Sequence, residues 1–176
     1  MATQTDPTAP AASPRKGRAN GPVNELSVFL KVKPGHEQAV RAVFAGDDAD
    51  PDRPAKALAM LDSVGTVHEA RVVVFDDDTR LLIATGFDGD WDVYLDDFAR
   101  TLVLQDWERF LIHCEGYPDA DGVAAMSLHD KKEFLTANQV TAARYDRGYP
   151  EVTVKEVIRA LRVQTAFQQL LDEASS

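Results

Sequence analysis

The sequence predicts an α+β domain in which an antiparallel sheet carries helices on one face. Three observations predict it: alternating apolar residues over 25–33, two apolar runs at 66–75 and 80–87 joined by an acidic turn, and an amphipathic stripe over 87–103. Period-two alternation marks a strand, and spacing of three and four marks a helix.

The elements follow in order. In ELSVFLKVK (25–33), Val28, Leu30 and Val32 alternate with Ser27, Phe29 and Lys31, which predicts a buried strand ended by Pro34-Gly35. Over 36–46, Val40, Val43 and Phe44 fall at helical spacing, with Gly46 as the expected C-terminal stop. An acidic loop at 47–54 leads to a short helix over 55–64, apolar at Leu58 and Leu61. TVHEARVVVF (66–75) is rich in β-branched residues and RLLIATGF (80–87) is a further apolar run; Asp76, Asp77, Asp78 and Thr79 between them supply turn chemistry for a β-hairpin. Asp90 is the expected N-cap of a helix over 87–103, with Trp91, Tyr94, Leu95, Phe98 and Leu102 as its stripe. RFLIHC (109–114) is expected as a fourth strand. This order, strand-helix-strand-strand-helix-strand, is the split βαβ pattern of ferredoxin-like folds. It implies a four-stranded antiparallel sheet with both helices on one face. The other face then needs a partner subunit or an extra segment, since large open apolar faces are rare on monomers.

Residues 1–22, rich in Pro, Ala, Thr and Ser, are expected as a disordered tail. Residues 23–176 form one domain: a ferredoxin-like core over 23–118 and a C-terminal helical extension over 119–176. The extension reads as a helix over 122–139, an edge strand or extended crossing over 139–150, and a helix over 152–174. In the last, Thr153 and Glu156 form a capping box, and Val154, Val157, Ile158, Leu161, Phe167, Leu170 and Leu171 line one side. The 176 residues are 44% hydrophobic, enough for a core without metal or disulfide. A net charge of −10 argues against nucleic acid and anionic membrane surfaces as partners. The lone cysteine, the lack of an apolar run of roughly 20 residues and the lack of a signal-like start point to a cytoplasmic protein.

Chemistry-bearing motifs are few. No P-loop or dinucleotide glycine pattern occurs, and no GxSxG, HExxH or CxxC. The acidic clusters Asp76-Asp77-Asp78 and Asp88-Gly89-Asp90 lack calcium-loop spacing and read as turn and N-cap residues, so no metal site is expected. Of the four histidines, His36 and His129 read as surface residues. His68 opens the second strand, where alternation places it with Ala70, Val72 and Val74, and His113 ends the fourth with Leu111 and Arg109. If both point away from the helices they line one pocket, as a proton-transfer group, a haem ligand or a metal ligand; otherwise they are hydrogen-bonded core or rim residues. Arg71, within an apolar strand, either pairs with Glu69 or Asp88 or holds an anionic group. Cys114 reads as a buried structural thiol. Trp107, Tyr117, Tyr145 and Tyr149 stand near segment ends, where they would border an apolar pocket.

One stretch carries a resemblance. His68, Ala70 and Arg71, the turn at Asp76-Asp77, and Phe87-Asp88-Gly89-Asp90-Trp91 at a helix start, followed by HCEGYP (113–118), resemble bacterial proteins of the dimeric α+β barrel superfamily. It covers about the central half of the chain. It implies a homodimer with an apolar pocket between sheet and helices or partner, and chemistry of the monooxygenase or haem-peroxidase kind, with either no cofactor or haem.

The expectation is a small-molecule-binding domain acting as an oxidoreductase on a small apolar or aromatic molecule, with His68, Arg71 and His113 as catalytic residues. The competing expectation is a non-catalytic stress-associated or protein-interaction domain, in which His68 and Arg71 are structural.

Overall fold

A computed structural model describes residues 17–175. Its strands are β1 (Ala19–Asn20), β2 (Val23–Lys31), β3 (Val67–Phe75) and β4 (Arg80–Asp88). Its helices are α1 (Glu37–Ala49), α2 (Arg53–Val64), α3 (Trp91–Arg100), α4 (Leu102–Leu111), α5 (Ala120–Val123), α6 (Leu128–Ala137) and α7 (Val154–Ala174). The fold is α+β with an open four-stranded antiparallel sheet in the order β1-β2-β4-β3, compatible with a ferredoxin-like fold.

The hairpin forms as expected, but its turn is unusual. Asp76, Asp77 and Asp78 all have positive φ, a region that Asp tolerates better than most residues. Helix-facing residues alternate as the sequence implies. Leu26, Val28 and Leu30 of β2 and Leu81, Ile83 and Phe87 of β4 are buried against Leu95, Phe98, Leu104, Phe110 and Leu111. Aromatic rings run through this layer: Phe87 stacks on Tyr94 at 3.8 Å, and Phe98 meets Trp107 at 4.5 Å.

Three expectations about the core are corrected. Residues 109–114 are not a strand; they are the end of α4 and the turn after it. RFLIHC alone is too short to separate the two periods, but Val103, Leu104, Trp107, Phe110 and Leu111 repeat at helical spacing and are all buried. The outer edge of β2 is instead completed by three separate pieces. These are β1, a bridge from Val28 to Gln139 with Val140 N donating to Ser27 O at 2.8 Å, and a bridge from Val32 to Cys114 with Lys33 N donating to His113 O at 2.8 Å. Gly46 does not stop α1, which runs on to Ala49. Leu58 is exposed, leaving Leu61 to face the core from α2.

The expected tail over 1–22 lies outside the described residues as far as residue 16; residues 17–22 join the sheet, with β1 pairing to Val23 and Asn24. The extended crossing at 139–153 runs over the sheet face away from α1–α4. Ala142 N donates to the buried carboxylate of Glu25 at 2.9 Å, and Asn20 Nδ2 donates to Tyr145 O. This crossing covers the sheet at the end where Val23 pairs with Asp88. Phe29 and Val73 remain exposed toward the other end. α7 does not cover the sheet. It is capped by Thr153 and Glu156 as expected, but has no buried residue, and only Val154 and Ile158 are partly covered. Among the described residues, no helix is long and apolar enough to cross a membrane.

Candidate functional site

The layer between sheet and helices holds a cavity of about 150 Å³. Its floor is Thr85 of β4 with Tyr94 and Phe98 of α3; Trp107 of α4 closes one side, Val67, Ala70 and Val72 of β3 another, and Ala57, Met60 and Leu61 of α2 form the roof. Ala57 is the smallest α2 side chain on this lining. A space of about this size holds a benzene-sized molecule.

Few polar groups reach this space. Tyr94 Oη and Thr85 Oγ1 are 3.2 Å apart, and burial pushes the phenol up to about 12, so it stays neutral. At the mouth Arg53 grips Asp106 through two parallel bonds of 2.7 and 2.6 Å, the paired geometry in which a guanidinium binds a carboxylate best. Arg71 is exposed on β3 at the cavity's edge and makes no ion pair among the described residues. The partners expected for it are engaged otherwise: Asp88 bonds His68, and a Glu69 carboxylate oxygen lies over Gly86.

His68 is not in the cavity. A β-bulge between Val67 and Glu69 breaks the alternation and turns His68 to the opposite sheet face from Ala70 and Val72. There Nε2 donates to Asp88 Oδ1 at 2.7 Å, and Nδ1 accepts from Arg147 Nη2 at 3.3 Å. Asp88 Oδ2 in turn accepts from Val154 N at 2.7 Å. The group joins β3, β4, the crossing and the first turn of α7. Tyr145 Oη, over Gly86, is buried without a hydrogen-bond partner among the described residues.

His113 lies at the other end of the sheet. Asp88 faces Val23 and His113 bonds at Lys33, beyond Lys31; the eight residue steps from Val23 to Lys31 alone span roughly 27 Å. The three residues expected to share a site are therefore not brought together. His113 pairs instead with His36, Nδ1 to Nδ1 at 3.0 Å. One nitrogen must donate and the other accept, so double protonation breaks the contact. Burial first, then His36 and Lys33, hold His113 below its ordinary value of 6.5. The unfolded chain therefore takes up this proton first. The stabilisation is complete above 6.5 and is lost as pH falls below it toward the folded value. The melting temperature is expected to fall over this interval by more in the parent than in His113→Gln. Equal slopes in thermal melts would remove the pair from the account.

Haem does not fit these residues. The cavity is far smaller than a macrocycle, both nitrogens of His68 are engaged, and His113 is tied to His36. Among the described residues no group of three or more His, Cys, Asp or Glu side chains is placed to hold a metal ion. Cys114 is buried, and burial pushes its thiol up to about 12, so it is an inert core residue as expected. Trp107 is the cavity residue that the sequence already marked as a pocket border; Met60, Val72 and Ala57 could be found only once α2 was set against β3.

No family model matches the chain, and neither a curated protein nor a solved structure matches it.

Proposed function

We propose that the protein binds a compact aromatic or apolar small molecule in the cavity beneath α2, and that it does so without catalysing its conversion. The observation that carries this reading is the half-open pocket lined by Tyr94, Phe98 and Trp107. Aromatic faces around a benzene-sized space favour a flat ligand. Oxidative chemistry without a cofactor needs a group beside the ligand to move a proton. The wall offers only a phenol held neutral and a guanidinium–carboxylate pair already satisfied.

Trp107 provides the readout. Titration with benzoate, phenol and indole is expected to change its fluorescence saturably. Ala57→Phe, which fills the space from the roof, is expected to weaken binding at least about tenfold, or about 1.4 kcal/mol, while leaving the protein folded. Unchanged affinity in Ala57→Phe would move the ligand elsewhere. Absence of saturable binding by every aromatic tested would sink the proposal.

The second reading, an interaction domain, is favoured by a different observation: a long helix with an apolar side and no buried residue of its own.

A further inference from the structure

α7 is a 21-residue helix with no buried residue. A helix of this length standing in water gains little from its own hydrogen bonds and normally depends on a packed face. Val163, Phe167 and Leu170 are each 60% exposed or more. With Ala160 and Ala174 they fall at spacings of 3, 4, 3 and 4, the repeat that forms one continuous seam on a helix. Val154 and Ile158, the residues that touch the body, lie on the opposite side of the helix from this seam. A shallow groove runs along the seam, lined by Glu156, Arg159, Ala160, Val163, Gln164 and Phe167.

We propose that α7 pairs antiparallel with α7 of a second copy, making a two-fold homodimer. The sizes along the seam fit this arrangement. Antiparallel overlap of Glu156–Ala174 with itself sets Ala160 against Leu170 and Val163 against Phe167, a small residue facing a large one in every such layer. Parallel pairing would set Phe167 on Phe167 and leave a gap at Ala160. The charges agree. Arg159 and Glu173 flank the seam on the same side, and only the antiparallel pair places each beside the other on the second helix. On one isolated helix these charges are set against the helix dipole, with basic Lys155, Arg159 and Arg162 toward the N-terminus and acidic Asp172 and Glu173 at the C-terminus. An antiparallel neighbour reverses that disadvantage. On the other flank, Val157 meets Leu171, and Gln164 meets its own copy near the axis. The bodies, attached on the far side of each helix, stay apart. This inference stands apart from the ligand proposal and from the open part of the sheet.

Sedimentation of the full chain from micromolar to near-millimolar concentration tests it. The parent is expected to pass from monomer to dimer, and Phe167→Glu to remain monomeric with a native circular dichroism spectrum, because Phe167 contributes nothing to the core. Glu173→Arg is expected to weaken association roughly fivefold, since two symmetry-related contacts turn repulsive, and Arg159→Glu added to it to restore association. Under oxidation Gln164→Cys is expected to cross-link and Phe167→Cys not. A monomer at every concentration overturns the proposal. So does a dimer that Phe167→Glu leaves intact, which would place the interface elsewhere, and so does cross-linking through Phe167→Cys alone, which would mean parallel helices.

Discussion

Replacing Asp88 with alanine is expected to cost about 3 kcal/mol and to loosen the start of α7. Both carboxylate oxygens are in use, one by His68 Nε2 and one by the backbone N–H of Val154. The side chains of Asp88 and His68 are only 13% and 11% exposed. Removing the acceptor leaves an imidazole N–H and a helix N-terminal N–H with poor access to water, and unmade bonds in such places cost more than made ones contribute. Asp88→Asn keeps an acceptor and should fall between the parent and Asp88→Ala in urea unfolding. The cavity lies on the other face of the sheet, so aromatic ligands should bind the folded variant with parent affinity. His68→Ala should behave likewise, because its role is to join Asp88 to Arg147. Parent stability in Asp88→Ala, together with lost ligand binding, would show that the pair is functional and not structural.

Much of the fold was legible because local pattern and burial agree. In β2 and β4 the buried residues alternate toward the helices, and Asp90 caps α3 by accepting from Asp92 and Val93 N–H groups. Where the reading failed, the signal was local and the cause was not. RFLIHC is apolar in any conformation; it joins α4 because Val103, Leu104 and Trp107, upstream of it, set a helical period that continues through Phe110 and Leu111. The sheet tolerates the loss of that strand because Ala19–Asn20, Gln139 and Cys114 patch the same edge from three distant places. No periodicity within the chain announces such a patch.

The candidate site was less legible, for two physical reasons. One bulge moved His68 through the sheet, and period-two reasoning has no means of foreseeing a single inserted residue. The cavity, by contrast, is made by residues of separate elements. Ala57 and Met60 border it with Val72 and Trp107, a grouping that exists only when α2 is set against β3 and α4. His68 and His113 are held by Asp88 with Arg147 and by His36, at opposite ends of the sheet.

Gly21→Ala is expected to cost at least about 3 kcal/mol, more than an ordinary surface substitution by a wide margin. Gly21 sits in the turn between β1 and β2 with φ +65°, and an added Cβ would stand 2.0 Å from Pro150 O and 2.8 Å from Pro150 C. Those are backbone atoms, so no side chain can swing aside; the crossing must lift from the turn or the turn must deform. Lifting it pulls on Arg147, which ties Pro150 O and Val152 O together and joins the segment to His68 of β3. Gly89→Ala is the matched control. Its φ is +87° with nothing within 4 Å of the added carbon, so it should show only the left-handed backbone cost of about 1 kcal/mol. The difference between the two variants in urea unfolding isolates the contact with Pro150. Amide exchange should quicken at Val152 and Val154 in Gly21→Ala and stay as in the parent in Gly89→Ala. Equal losses in the two variants would mean that the crossing at 139–153 is not held against the β1–β2 turn, and the cover it gives to Glu25, Gly86 and His68 would have to be explained without it.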